Sequence, residues 1–121
     1  MAAAGGVHRL PRHIPLKIAM GMLLTGKPVT AADALRLGLV NEVVPSAKLM
    51  ETAERWAREI AECSPLSVQA TKQAALQGLG KPLPDALMTP YEAVARLWAS
   101  DDSKEGPLAF AQKRKPRWAG R

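Results

Sequence analysis

The residues of this sequence that are best spaced for chemistry lie close to its end. Phe110, Lys113, Arg114 and Lys115 put an aromatic ring beside three cations, a set suited to an anionic partner such as a phosphorylated cofactor. His8 and His13 stand five residues apart and do not share a helical face, and with Cys63 as the single cysteine they argue against a metal site. Ser46, Ser64, Ser100 and Ser103 all have capping explanations, so no nucleophilic triad is expected. Glu51 with Arg55 and Glu54 with Arg58 read as i,i+4 pairs on a solvated helix face rather than as an acid–base couple. Gly5-Gly6 ahead of a helix can offer backbone amides to an anion, a weak signal without a preceding strand or a G-x-G-x-x-G run.

The elements that must position these residues follow from start and stop signals. A short helix is expected over residues 5–13 and a second over 16–24, with Ile18, Met22, Leu16 and Leu23 facing inward. Residues 24–45 read as turn, short helix, turn and strand. Gly26 and Pro28 make the first turn, Thr30 is an N-cap with Asp33 three residues on, and Gly38 stands where a left-handed residue ends the helix. Residues 39–44, Leu-Val-Asn-Glu-Val-Val, are expected to form a strand that Pro45 ends. A helix over 47–63 carries one apolar stripe, Leu49, Ala53, Trp56, Ile60 and Cys63. Ser64-Pro65 caps a helix over 66–79. A further helix over 85–99 would place Leu87, Met88, Tyr91, Ala95 and Trp98 on one side, and Pro90 should kink or split it. The last helix, 103–113, has Asp102 and Glu105 at capping-box spacing. It tolerates Pro107 only within its first turn, and Pro116 stops it.

With 121 residues, 47% of them hydrophobic, the chain is long enough for one unit with one core. A single Tyr, a single Phe and three Trp leave Leu, Ala, Val and Met to fill that core. The formal charge of +6 and pI of about 9.9 suit an anionic partner, although much of the excess lies in the final residues. Cys63 is expected as a small, partly buried thiol, in keeping with a reducing compartment. No apolar run approaches the roughly 20 residues that span a bilayer, and the opening Met-Ala-Ala-Ala-Gly-Gly lacks the charged and apolar parts of a signal peptide. A cytoplasmic location is expected.

The run LTGKPVTAADALRLGLVNEVVP at residues 24–45 resembles the segment of the enoyl-CoA hydratase/isomerase (crotonase) family written L-T-G-x-x-(I/V)-x-A-x-x-A-x-x-x-G-L-V-N-x-V-V-P. The resemblance extends through GGVHRLP at 5–11, Ser64-Pro65-Leu66, Ala70-Thr71-Lys72, SDDSKEG at 100–106 and AFAQKRKP at 109–116, covering nearly the whole chain but only the family's C-terminal half. It implies a mainly α fold with one short strand: the C-terminal part of the crotonase α/β spiral plus its helical trimerisation region. Residues 1–45 would end the spiral core and 46–121 would form the C-terminal helical region. Family members usually run through the position of Pro90 as one helix.

By the same resemblance, Phe110 and Lys113 would lie near the nucleotide of coenzyme A, often reaching toward a neighbouring subunit. Ala3 would stand at the active-site edge, in Ala3-Ala4-Gly5-Gly6, where the family often has Gly in a G-A-G-G turn. The family's thioester-polarising amides and catalytic carboxylates belong to its first half, so no catalytic residue is assigned and the chain is expected to be inactive alone, as a fragment or truncated form. The partners implied are acyl-CoA and copies of the chain in a trimer or dimer of trimers, with no membrane, no metal and no covalently held cofactor. Two alternatives stand beside this reading. One is a non-catalytic oligomerisation or partner-binding module. The other is a basic nucleic-acid binder, which lacks interleaved aromatics and any known motif. Folding alone is expected to be marginal, because the helix before Gly38 and the strand after it need a neighbour.

Overall fold

A computed structural model describes residues 3–121. Its regular elements are all helical: α1 (Gly6–His13), α2 (Leu16–Thr25), α3 (Ala31–Arg36), a 3-10 turn (Ser46–Lys48), α4 (Leu49–Ala61), α5 (Pro65–Gly78), α6 (Leu83–Met88), α7 (Glu92–Ala99) and α8 (Asp102–Ala111). In place of the single unit expected from length, the chain divides into two compact units, Met1–Met50 and Glu51–Arg121.

In the first unit α1 packs on α2, with Ile14 between them in sequence and Ala19 on α2 both buried. The inward face expected of α2 is only partly covered: Met22 and Leu23 are half-buried, whereas Leu16 and Ile18 are exposed. α3 follows its signals closely. The Thr30 hydroxyl oxygen accepts from the Asp33 amide at 3.1 Å, and Gly38 takes a φ of 74°. The Leu39 amide then donates to the Ala34 carbonyl at 2.8 Å and the Gly38 amide to that of Leu35 at 3.0 Å, the two bonds that close a helix through a left-handed residue.

The strand expected at residues 39–44 does not form, and no strand occurs among the described residues. β-branched residues favour an extended backbone, but a strand is defined by ladder hydrogen bonds to a neighbour, and no described segment pairs with this one. Residues 42–45 run on without regular structure to the 3-10 turn at Ser46.

In the second unit α5 and α7 are the principal packed pair, with α6 against α5 and α8 against α7. The buried apolar residues here are Ala70, Ala93 and Ala109, small side chains that let helix backbones approach closely. Leu, Val and Met therefore do not fill the core as composition suggested. The expected stripe lies exposed at Leu49, Ala53, Trp56 and Ile60 of α4 and at Cys63 beyond its end, and α4 buries no residue. Leu87, Met88 and Trp98 are exposed as well. Periodicity fixes which residues share a face, but what covers that face is a separate matter. Cys63, expected to be partly buried, is exposed.

Proline chemistry splits two ways. At Pro90 the chain breaks into α6 and α7, with Thr89 and Tyr91 both extended. The Gln73 side chain of α5 supplies the new helix start, its Oε1 accepting from the Ala93 amide at 2.8 Å. Pro107, by contrast, sits beyond the first turn of α8 without ending it, contrary to the sequence expectation. Part of proline's clash is with the Cβ of the preceding residue, and Gly106 has none.

Candidate functional site

The end of α8 carries the two residues that the resemblance marks for a nucleotide, Phe110 and Lys113. Phe110 is 87% exposed and Lys113 is exposed two residues beyond the last helical residue. The helix stops here through the same pair of bonds that ends α3: the Lys113 amide donates to the Phe110 carbonyl and the Arg114 amide to that of Ala109, each at 3.1 Å. Lys113 is the left-handed residue, at φ 50°, a place where glycine is normally found because a Cβ is crowded there.

Arg114, the next cation of the cluster, is not free to meet a ligand. Its guanidinium grips Glu105 in a two-pronged pair, Nη1 to Oε1 at 2.6 Å and Nη2 to Oε2 at 2.9 Å, and its Nε donates to Gln112 Oε1 at 2.7 Å. Glu105 Oε1 also accepts from the Arg117 amide at 2.6 Å. The hydrogen bonds from Arg114 and then from Arg117 pull the Glu105 carboxyl down to about 2 from its ordinary 4.5. The structure thus divides the basic run into one structural cation, Arg114, and the exposed cations Lys113 and Lys115.

Behind this turn the terminal segment folds back over the starts of α5 and α8. The buried Asp102 takes a hydrogen bond from the Ser64 hydroxyl at 2.6 Å on Oδ2. On Oδ1 it accepts from the Ala119 and Gly120 amides at 2.7 and 3.2 Å. The Ser64 bond is the main reason that the Asp102 carboxyl lies below its usual range, against an opposing push from burial. Trp118 Nε1 donates to the Glu62 carbonyl at 2.7 Å, and the Asp101 amide to the carbonyl of Arg121 at 3.0 Å. Sequence reasoning saw Asp102 and Glu105 only as a capping pair. The signal it had was their three-residue spacing, which puts both carboxylates on one face of the helix without saying what meets them.

In the first unit, Ala3 lies in the turn that opens α1. Its carbonyl accepts from the Gly6 amide at 3.1 Å. Ala4 and Gly5 follow with φ of 51° and 83°. Arg9 reaches back over this turn, Nη2 donating to the Ala4 carbonyl at 2.8 Å. A Cβ on Gly5 would come within 2.9 Å of that nitrogen, so Gly5 admits the guanidinium. The Gly6 amide is thus engaged within the turn itself.

A family model described as enoyl-CoA hydratase/isomerase matches residues 1–121 of this sequence. The chain belongs to the enoyl-CoA hydratase/isomerase family. It is 43% identical over 120 residues to the (E)-benzylidenesuccinyl-CoA hydratase of Thauera aromatica, covering 99% of this chain and 47% of that one. It is 38% identical over 122 residues to the carnitinyl-CoA dehydratase of Escherichia coli K12, covering 98% and 47%. An enoyl-CoA hydratase from Mycobacterium marinum, known from its crystal structure, superposes with a TM-score of 0.91 at 37% identity, over 100% of this chain and 48% of that one.

The chain spans about half the length of the curated relatives it matches. What it represents of the enoyl-CoA hydratase/isomerase fold is a half-length helical region, consistent with the C-terminal portion. Among the described residues no helix is long and apolar enough to cross a membrane.

Proposed function

We propose that this chain serves an acyl-CoA-handling enoyl-CoA hydratase/isomerase as the part that meets the coenzyme A nucleotide and assembles subunits, rather than the part that moves protons. The observation that carries the reading is the exposed pairing at the end of α8. Phe110 offers a bare ring and Lys113 a solvent-facing ammonium, while the adjacent Arg114 is held by Glu105. A flat ring beside a point charge suits an adenine that carries a phosphate. The finer division of the chain, 1–45 as the end of a spiral core and 46–121 as the C-terminal helical region, belongs to this proposal, as does a place for Ala3 at the edge of the acyl site. The tests are calorimetric titrations with coenzyme A and with 3′-dephospho-coenzyme A. Binding that prefers the phosphorylated form, and that weakens in Phe110→Ala and Lys113→Ala, supports the reading. Equal binding of both forms by all three chains would sink it.

A second reading, an oligomerisation module, is favoured by the uncovered apolar faces. Leu49, Met50, Trp56 and Ile60 lie exposed on α4, and Ile60, Val68 and Leu76 line an open groove of about 540 Å³ in the second unit. Apolar surface of this kind commonly marks an interface. Sedimentation velocity decides it: a species that stays monomeric from micromolar to near-millimolar concentration would exclude self-assembly through these faces. Nucleic-acid binding ranks behind both readings, since Arg114 is already committed and the aromatics near the basic run are Phe110 and Trp118, the latter tied to Glu62.

A further inference from the structure

We infer that Glu105 is a positioning residue: by gripping Arg114 and the Arg117 amide it holds Lys113 in its left-handed turn, and so sets where the Lys113 ammonium stands relative to the Phe110 ring. The inference rests on the reading of Phe110 and Lys113 as the nucleotide contacts, and goes beyond it to the group that aims them.

Three observations converge. First, α3 and α8 end through the same two-bond closure, but α3 uses Gly38 at φ 74° and α8 uses Lys113 at φ 50°. A lysine in that conformation is sterically disfavoured, so the turn at Lys113 needs support that the turn at Gly38 does not. Second, that support is present in the segment that follows the turn. Arg114, immediately after Lys113, is fixed by its backbone amide to Ala109 and by its guanidinium to Glu105. Arg117 is fixed by its amide to the same carboxylate. Glu105 lies on α8 itself, so the clamp ties the segment after the turn back to the helix that carries Phe110. Third, the Glu105 side chain is only 17% exposed and that of Arg114 35%, so the grip is shielded from solvent more than the Arg36–Asp33, Arg55–Glu59 and Arg58–Glu54 pairs and less open to screening. A two-pronged arginine–carboxylate pair fixes direction as well as distance. With the Lys113 side chain exposed, the clamp orders the backbone while leaving the ammonium to solvent.

The experiment uses the full chain, with Glu105→Gln and Arg114→Lys beside Lys113→Ala. Arg114→Lys keeps the charge but loses the fork, so it separates geometry from electrostatics. Two readouts are taken: amide hydrogen exchange at Arg114, with the Ala95 amide of α7 as a control for global unfolding, and the preference for coenzyme A over 3′-dephospho-coenzyme A. Both clamp variants are expected to speed exchange at Arg114 by about tenfold or more with Ala95 unchanged. Each should also cut the phosphate preference by about fivefold, toward that of Lys113→Ala. Faster exchange with an undiminished preference would mean that Glu105 only staples the terminal segment, and unchanged exchange would mean that it holds nothing; either overturns the inference. A wild-type chain with no phosphate preference refutes the Lys113 reading, and the exchange rates then decide by themselves whether Glu105 holds the turn.

Discussion

The Ser64 hydroxyl donates to Asp102 Oδ2 at 2.6 Å across 38 residues of sequence, while the same oxygen accepts from the Ser67 amide at 3.3 Å. One hydroxyl thereby caps α5 and anchors the carboxylate that receives the Ala119 and Gly120 amides. Ser64→Ala removes both roles. Loss of the cap alone costs about 1 kcal/mol, and the buried Asp102 loses its shortest partner in addition. In urea denaturation the midpoint should fall by more than for Thr30→Ala in α3, where the hydroxyl bonds the amide and carboxylate of the half-buried Asp33 three residues on. Equal midpoints for the two variants would show that Asp102 gains nothing from Ser64.

Acid should release the terminal segment. Glu105 is held at about 2 against an ordinary 4.5, and Asp102 is likewise below its ordinary 3.8. A depressed carboxyl contributes stability that is complete above its unfolded-state value and is lost as pH falls through the folded one. The contribution from Glu105 should therefore be intact at pH 7 and disappear between about pH 4.5 and pH 2. The Trp118 indole N–H resonance, whose donor bonds to Glu62 in the folded segment, reports the release. In Glu105→Gln the shift in that window should shrink, with stability already lower at pH 7. A variant that keeps the whole acid transition would assign it to other carboxylates.

The signals that act within one turn of backbone were legible in the sequence, and those that depend on distant partners were not. Thr30, Gly38 and Ser64 each satisfy or release groups within four residues of themselves, so residue type sufficed. Pro90 splits its helix for an equally local reason, the missing amide. Residues 39–44 carry β-formers, yet a strand needs a paired neighbour, which no local pattern supplies. The stripe of α4 was read correctly as a stripe, and its covering could not be read at all. For the nucleotide site, residue types grouped Phe110 with Lys113, Arg114 and Lys115 as equals, and the family resemblance singled out Phe110 and Lys113. Only the fold brings Arg114 back onto Glu105, nine residues earlier.

Lys113 and Gly38 make a matched pair for measuring the cost of a side chain at a left-handed helix end. Gly38→Ala should destabilise the first unit by about 1 kcal/mol, because a Cβ is disfavoured at that φ. Lys113→Gly should do the reverse, raising stability by up to about 1 kcal/mol, while weakening coenzyme A binding. A gain in stability with a loss of affinity is the mark of strain retained for a function. Lys113→Gly that lowers stability would mean that the lysine side chain makes a contact that outweighs its backbone cost.

Tyr91 offers a test of packing at the junction of α5, α6 and α7. Its hydroxyl is buried and has no hydrogen-bond partner among the described residues. A Cβ added at Gly78 would lie 3.0 Å from that oxygen, so Gly78 makes the space that the hydroxyl occupies. The ring also lies under the Lys81 ammonium at 5.6 Å, a contact that phenylalanine would retain in part. Removing a buried hydroxyl with no partner forfeits no hydrogen bond and ends its desolvation cost. Tyr91→Phe should therefore leave stability unchanged or raise it by about 1 kcal/mol, and Gly78→Ala, harmful in the native background, should be better tolerated in the double variant. The coupling follows from geometry: the added methyl meets the hydroxyl oxygen at 3.0 Å in one background and only ordinary contacts with Ala86 Cβ and the ring in the other, so the two substitutions should not be additive. A loss of stability in Tyr91→Phe, or strict additivity with Gly78→Ala, would place the hydroxyl elsewhere.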